Sequence, residues 1–238
     1  MTTLLETLHT GLRAIAEPAR APAMQAYMKS AMPYLGVPNG PRTALCKSVF
    51  ADLSWPDGAA WQEDVLAIWR GARFREERYC ALNLSGVRAA RSFQTMGALP
   101  TYEEMIVTGA WWDYVDEIAT NRLGLILAAD PSRMKPAMLG WARGDNMWKR
   151  RSAILCQLHA KAATDRHFLM ACIAPSLSSK EFFLRKGIGW ALRHFARTDP
   201  DWVRTYVADN EATLSNLSKR EALKHIGALA GVRDARQL

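Results

Sequence analysis

The sequence has 238 residues, enough for one large domain or two small ones, and 49% of them are hydrophobic, which excludes a disordered or fibrous chain. Its net charge of +8 is unevenly distributed, because residues 1–119 hold 11 basic and 13 acidic side chains whereas residues 120–238 hold 20 and 10. This asymmetry indicates a basic face with a polyanionic partner such as nucleic acid, although a solvated basic surface without a partner gives the same pattern.

Helical periodicity runs along almost the whole chain and begins with Leu4, Leu5, Leu8 and Leu12. No stretch shows the sustained alternation that is typical of strands. Breaks, many of which combine a proline with an Asp or Ser able to cap the next helix, fall at residues 35–41, 54–58, 99–101, 129–132, 144–146 and 198–201. We therefore predict an all-α fold of about a dozen helices in one continuous domain, residues 1–238.

Three segments in which a basic residue precedes a small and apolar run indicate an internal repeat. Their anchors Arg78, Arg151 and Lys186 stand 73 and 35 positions apart, and a period of about 36 accounts for both gaps. This spacing is similar to that of HEAT and armadillo repeats, helical hairpins that stack into a solenoid whose concave face, if basic, can cradle a duplex. Three amphipathic helices that are alike by chance remain the alternative.

Residues 106–119 contain the first side chains that predict chemistry. Trp112 and Asp116 are four positions apart and share one helical face, so a carboxylate lies one turn from an indole. The alternative is that the tryptophans are core and the aspartates are solvated or cap a helix. An acid on the face of a nucleic-acid binder repels phosphate, so chemistry explains Asp116 more readily. We assign Trp112 and Asp116 to the site, Trp111 to packing and Asp113 to a structural role.

Residues 145–151 predict the start of a helix that suits phosphate. Asp145 or Asn146 can cap this helix, and Arg150 and Arg151 follow about one turn in. These arginines are therefore candidates for contact with a nucleic-acid backbone.

Residues 178–193 repeat this arrangement, with Trp190 and Arg193 three positions apart on one predicted helix. Gly187 and Gly189 interrupt the helical pattern, and each is unfavourable by about 1 kcal/mol relative to alanine. The two glycines predict the close approach of either a second helix or a DNA backbone.

Metal and cofactor sites have no support in the sequence. The four cysteines are never closer than 16 positions, and the five histidines lack ligand spacing. The sequence contains no P-loop, GxGxxG, HExxH or GxSxG motif and no run of roughly 20 apolar residues, and its first residues do not resemble a signal peptide. We therefore expect a cytoplasmic protein without a cofactor, a metal ion or a membrane segment.

Taken together, these segments resemble the AlkD-like DNA alkylation repair family, DNA glycosylases built from HEAT-like repeats. The resemblance covers nearly the whole chain in order, through residues 27–29, 34–37, 111–116, 145–155, 178–183, 186–190 and 218–226. It implies an enzyme that hydrolyses the N-glycosidic bond of N3- or N7-alkylated purines in double-stranded DNA. It also implies that the base is not flipped into a pocket, which would admit bulky adducts.

The resemblance also implies roles for single residues. Asp116 matches the catalytic carboxylate, Trp112 and Trp190 match two indoles beside the deoxyribose of the lesion, and Arg151 matches an arginine that contacts phosphate. The other positions implied to contact or support the DNA are Tyr27, Arg150, His159, Lys180 and Arg193. His159 departs from the family pattern, because related sequences tend to carry lysine there, and the strength of that contact stays open.

The implied chemistry suits these residue types. An alkylated purine already carries positive charge, so it leaves as a neutral base without a general acid, and the charge moves to the sugar. Asp116 can stabilise this charge and position a water molecule, while the indoles add a cation–π contribution and exclude bulk water.

We expect a monomer in the bacterial cytoplasm that serves DNA alkylation repair or self-resistance to a DNA-alkylating natural product. The alternatives are a non-catalytic HEAT-repeat protein that binds DNA or acts as a scaffold, and an armadillo-like adaptor for protein partners. The joint presence of Asp116, Trp112, Trp190 and Arg151 favours the enzyme.

Overall fold

A computed structural model of the chain describes residues 3–227. Over that range it contains fourteen α-helices and no β-strand, which confirms the prediction of an all-α fold. The pairing of these helices into HEAT- or armadillo-like repeats with a concave basic face stays a prediction. The helices are α1 Leu4–Ala14, α2 Ala21–Met28, α3 Asn39–Val49, α4 Gly58–Gly71, α5 Arg75–Ser85, α6 Leu99–Gly109, α7 Trp112–Ile118, α8 Gly124–Ala129, α9 Pro131–Arg143, α10 Met147–Leu155, α11 Arg166–Ile173, α12 Phe182–Phe195, α13 Pro200–Asp209 and α14 Asn216–Ala222.

The predicted breaks begin helices as their capping residues suggest. The Asp130 carboxylate accepts a hydrogen bond from the N–H of Arg133 at the start of α9, and Asp199 does the same for Trp202 in α13. Both helices carry proline at their first position, where a missing N–H has no effect on the helix. These local signals were sufficient to predict where several helices start.

Contacts between the helices group the chain into two compact units, Met1–Met105 and Ile106–Leu238. The prediction of one domain over residues 1–238 stays a prediction. In the first unit, α1, α3, α4 and α5 surround a core that includes Leu8, Leu12, Trp61, Val65 and Trp69. No helix among residues 3–227 is both long enough and apolar enough to cross a membrane.

A buried carboxylate in the first unit holds the loop between α2 and α3. Glu76, in the first turn of α5, accepts hydrogen bonds of 2.9–3.1 Å from the backbone N–H groups of Leu35, Gly36 and Val37. Gly36 has φ +86°, and a Cβ at this position would overlap the carbonyl oxygen of Glu17. Residues 34–37, one of the segments on which the family resemblance rests, therefore have a structural role in this loop.

In the second unit, α12 packs against α10 and against α14. Gly189 permits the second of these contacts, because a Cβ there would lie 2.5 Å from the Cβ of Glu221 and 2.9 Å from the carbonyl oxygen of Ser218. The close approach of helices that the glycines predict is thus confirmed at Gly189. Helix α10 also contacts α7, so it links α7 to α12.

Candidate active site

Helix α7 presents Trp112 and Asp116 one turn apart, as the sequence predicts. The surrounding helix is shorter than the predicted one, because α6 ends at Gly109 and Ala110 adopts the left-handed φ of +43°. Trp111 consequently lies outside the helix, at the N-cap of α7. A π-helical turn, Ala119–Leu123, follows α7 directly, and such turns are frequent at functional sites.

Asp116 forms a bidentate ion pair with Arg151 of α10. The distances are 2.6 Å from Nε to Oδ1 and 2.7 Å from Nη2 to Oδ2. Asp116 is only 9% exposed and Arg151 only 3% exposed. Two parallel charge-assisted hydrogen bonds in a buried position fix the plane of the carboxylate against that of the guanidinium.

The remaining guanidinium nitrogen of Arg151, Nη1, makes its hydrogen bond to α12. Nη1 donates to the backbone carbonyl of Phe183, and a Cβ added to Gly187 would lie 3.1 Å from the same nitrogen. Phe183, Gly187 and Trp190 follow one another at helical spacing, so they lie along one side of α12. Trp190 is therefore on the side of α12 that meets Arg151, and its side chain is half-buried.

The burial of Arg151 bears on its predicted role. Nε, Nη1 and Nη2 each donate one hydrogen bond to an oxygen of the protein, which uses three of the five N–H groups of the guanidinium. Only 3% of Arg151 is exposed, so the other two N–H groups are shielded from solvent. The contact between Arg151 and phosphate stays a prediction.

Burial and two neighbouring charges, those of Asp113 and Arg151, shift the pKa of Asp116. Burial raises the pKa of the Asp116 carboxyl above the ordinary value for aspartate, and the negative charge of Asp113 raises it further. The hydrogen bonds and positive charge of Arg151 lower it. Arg151 is thus the group that favours the carboxylate form of a residue whose burial favours the acid.

An aromatic cluster supports the start of α7. The Trp111 ring centroid lies 6.2 Å from that of Trp148 and 5.4 Å from that of Phe183, and the Trp148 and Phe183 centroids are 5.0 Å apart. The assignment of Trp111 to packing is confirmed by these contacts. Its buried indole Nε1 has no hydrogen-bond partner among the described residues.

A second ionic group lies on α12. Lys186 and Arg193, seven positions apart, each donate to a carboxylate oxygen of Glu221 in α14 at 2.7 Å. The hydrogen bond from Lys186 lowers the pKa of Glu221, and the charges of Arg193 and Lys224 add to this effect. Arg193, predicted to contact or support DNA, is therefore tied to a protein carboxylate and half-buried.

The other predicted DNA-binding residues differ in how free they are. Arg150 donates to the Ser176 hydroxyl at 3.2 Å and to the Pro175 carbonyl at 2.7 Å. Lys180 and His159 are exposed in the second unit, and the His159 ring lies edge-on to His194 with centroids 5.5 Å apart. Tyr27, in α2 of the first unit, is 77% exposed.

Sequence reasoning missed Glu221 and the Phe183 carbonyl. One signal points to the missed pairing, because Asp116–Arg151 and Lys186–Glu221 both join residues 35 positions apart. This separation is close to the period of about 36 that the basic anchors indicate. The described residues contain no group of three His, Cys, Asp or Glu side chains placed to hold a metal ion.

Comparisons with known proteins point in one direction. A sequence model of the family described as "DNA alkylation repair enzyme" matches residues 8–226. A solved structure described as "Predicted DNA alkylation repair enzyme from Enterococcus faecalis" is similar with a TM-score of 0.79 and 29% sequence identity. This similarity covers 89% of the present chain and 96% of the other. No curated protein matches.

Proposed function

The chain belongs to the DNA alkylation repair enzyme family, and from this premise we propose that it is a DNA glycosylase that removes N3- or N7-alkylated purines from duplex DNA. The observation that carries the proposal is the buried carboxylate of Asp116, held in one orientation by Arg151. A carboxylate that is both buried and fixed is suited to stabilise positive charge developing at a defined point.

The proposed reaction is hydrolysis of the bond between C1′ of the deoxyribose and the purine nitrogen. As this bond lengthens, its electron pair stays with the base, which leaves uncharged because alkylation had made it cationic. Positive charge moves to the sugar, and a water molecule adds to C1′ and loses its proton to Asp116 or to solvent. No general acid is required, which agrees with the composition of the site.

In this proposal Arg151 positions the catalytic carboxylate, whereas the sequence had suggested that it contacts phosphate. Burial favours protonated Asp116, and a protonated carboxyl neither stabilises a cation nor accepts a proton from water. The guanidinium counters this by supplying a positive charge and two hydrogen bonds. Arg151 keeps Asp116 ionised without touching the substrate.

The two half-buried indoles complete the proposed site. Trp112 shares a face of α7 with Asp116, and Trp190 lies on the side of α12 that meets Arg151. An indole face near the deoxyribose would attract the developing cation, and its area would displace bulk water. The attraction to the sugar cation is larger in the transition state than in the ground state, which is the requirement for catalysis.

We propose duplex DNA as the partner and a monomer in the bacterial cytoplasm as the working form. The exposed side chains of Tyr27, Lys180 and His159 are the proposed contacts with the DNA backbone. Arg150 and Arg193 would support the contacts of the second unit, Lys180 and His159, through their bonds within that unit. No cofactor is part of the proposed mechanism.

The decisive experiment offers the protein duplex DNA that carries 7-methylguanine, 3-methyladenine or a bulky N3-adenine adduct. We expect release of the alkylated base as a free purine, measured by chromatography, from at least one of these substrates and none from undamaged duplex. If all three duplexes were bound without release of any base, the protein would be a non-catalytic DNA-binding member of the family instead.

The pH dependence of excision tests the role of Asp116. Because burial raises its pKa, the active carboxylate should be lost on acidification at a higher pH than for an ordinary aspartate, whose pKa is about 3.9. We expect the single-turnover rate, measured from about pH 8 to about pH 4 and corrected for the release without protein, to fall on acidification at a higher pH than such an aspartate would give. The Asp113→Asn variant removes a charge that raises this pKa, so its profile should shift to lower pH. A rate that does not change over this range would contradict the assignment.

A further inference from the structure

Gly187 occupies a helix-interior position that alanine would fill more favourably. The conformation of α12 does not require glycine here, and the atoms that a side chain would meet belong to another helix, α10. A Cβ on Gly187 would lie 3.1 Å from Nη1 of Arg151, 3.7 Å from its Cγ and 3.8 Å from its Cζ. The guanidinium therefore occupies the space that the missing side chain leaves free.

The same part of α12 supplies a hydrogen-bond acceptor. Phe183 precedes Gly187 by four positions, so its carbonyl lies beside the open side of the helix at Gly187, and it accepts from Nη1 of Arg151. The open position and the carbonyl together form a seat for one end of the guanidinium, which we call the α12 seat. The other end of the same planar group binds Asp116.

We propose that Gly187 is a positioning residue for the reaction, because the α12 seat fixes the guanidinium of Arg151 and thereby the direction of the Asp116 carboxylate. The guanidinium is planar and rigid, so a displacement of Nη1 also displaces Nε and Nη2 from the carboxylate oxygens. This inference rests on the proposed function, since it assigns Gly187 a part in the same site.

Gly189 shows what a glycine required only for helix packing looks like in this chain. Its missing side chain makes room for the backbone and Cβ atoms of α14, namely Ser218 and Glu221. Gly187 instead makes room for the charged end of one side chain. Gly140, in α9, is the neutral case, because a Cβ added there would meet no atom of another residue within 4 Å among the described residues.

The first test is Gly187→Ala, with Gly140→Ala as the matched helix control. A contact of 3.1 Å can be relieved if Arg151 moves by a few tenths of an ångström, and alanine favours the helix, so the variant should fold. We expect about tenfold slower excision, because small misplacements of catalytic groups have large effects on rate. The pKa of Asp116, measured by carbon NMR of the free protein, should rise. Gly140→Ala should change neither quantity.

A double-mutant cycle with Arg151→Lys separates positioning from a general structural effect. Lysine has no Nη1, so if Gly187 acts through Arg151, adding Gly187→Ala to Arg151→Lys should slow excision no further. The proposal would be overturned by additive losses in the cycle, by wild-type excision in Gly187→Ala, or by an unchanged Asp116 pKa in that variant.

The NMR measurement also distinguishes failure of this inference from failure of the proposed function. If the wild-type protein released no base from any substrate, the glycosylase proposal would fail, while the pKa of Asp116 in Gly187→Ala would still report on the α12 seat. An unchanged pKa there would refute the seat by itself.

Discussion

The Asp116→Asn variant should excise alkylated purines about 10²–10³-fold more slowly than the wild-type protein, the range found when one preorganised electrostatic group is removed. The substitution keeps the size of the side chain but removes the negative charge that would stabilise the sugar cation. It also places an amide N–H₂ group where Arg151 now donates, so the orientation of the side chain changes as well. Single-turnover excision of 7-methylguanine from duplex DNA measures the effect.

Binding must be measured alongside excision, because loss of binding would imitate loss of catalysis. The buried position of Asp116 predicts that affinity for undamaged duplex changes by less than about twofold. Asp113→Asn, on the same helix three positions earlier, is the matched control and should retain most of the rate. Wild-type excision by Asp116→Asn would show that another group does the chemistry.

The sequence predicted the features of this site that depend on neighbours along the chain. Trp112 and Asp116 share a face because residues four apart on any helix do so, and Asp130 and Asp199 cap helices through a bond to the residue three positions on. Such signals are local, so they can be recognised in the sequence without knowledge of the tertiary structure. They were sufficient to bring the indole and the carboxylate of α7 together.

The direction of a long side chain is not a local property, and here the sequence was less informative. Arg151 follows a plausible helix cap, and its positive charge suits a buried carboxylate as well as it suits a phosphate. Only the packing of α10 between α7 and α12 shows that the side chain is directed towards Asp116 and Phe183. The same holds for Arg193, whose partner Glu221 lies on another helix.

The break before α7 escaped prediction for a different reason. Ala110 adopts a left-handed φ of +43°, which is rare for alanine. Because the position holds neither proline nor glycine, the sequence does not predict a break there. The break moves Trp111 out of the helix and into contact with Trp148 and Phe183. Packing of this aromatic cluster therefore offsets an unfavourable backbone conformation.

These placements also change the interpretation of the basic second half of the chain. Arg150, Arg151, Lys186 and Arg193 all bond to protein oxygens, and three of them bond to carboxylates. Part of the positive charge is therefore used to hold α7, α10, α12 and α14 together. We propose that the share that remains for DNA comes from exposed side chains such as Lys180.

The Arg151→Ala variant should lose about 3–5 kcal/mol of unfolding free energy at neutral pH, because it leaves the buried carboxylate of Asp116 without its cation. Urea denaturation measures the loss. Arg150→Ala is the matched control, since this neighbour bonds to the neutral Ser176 hydroxyl and Pro175 carbonyl and should lose only about 1 kcal/mol.

The pH dependence of this loss has a definite sign. Without Arg151, burial raises the pKa of Asp116 further in the folded protein than in the wild type, so the folded state binds a proton that the unfolded state releases. Unfolding free energy then decreases as pH rises through that range, and the loss is complete above the folded-state pKa. The destabilisation should therefore be smaller at about pH 5 than at about pH 7. A loss that is the same at both values would mean that Asp116 is not left as a buried charge.

The salt dependence of DNA binding separates the two roles considered for Arg151. Each lost phosphate contact reduces the slope of log K against log salt by about 0.9. Because Arg151 is buried on Asp116, its replacement by alanine should leave this slope unchanged, whereas Lys180→Ala should reduce it. The comparison is made at a temperature where both variants are folded. A reduced slope for Arg151→Ala would show that the ion pair opens on DNA and that the guanidinium then contacts phosphate.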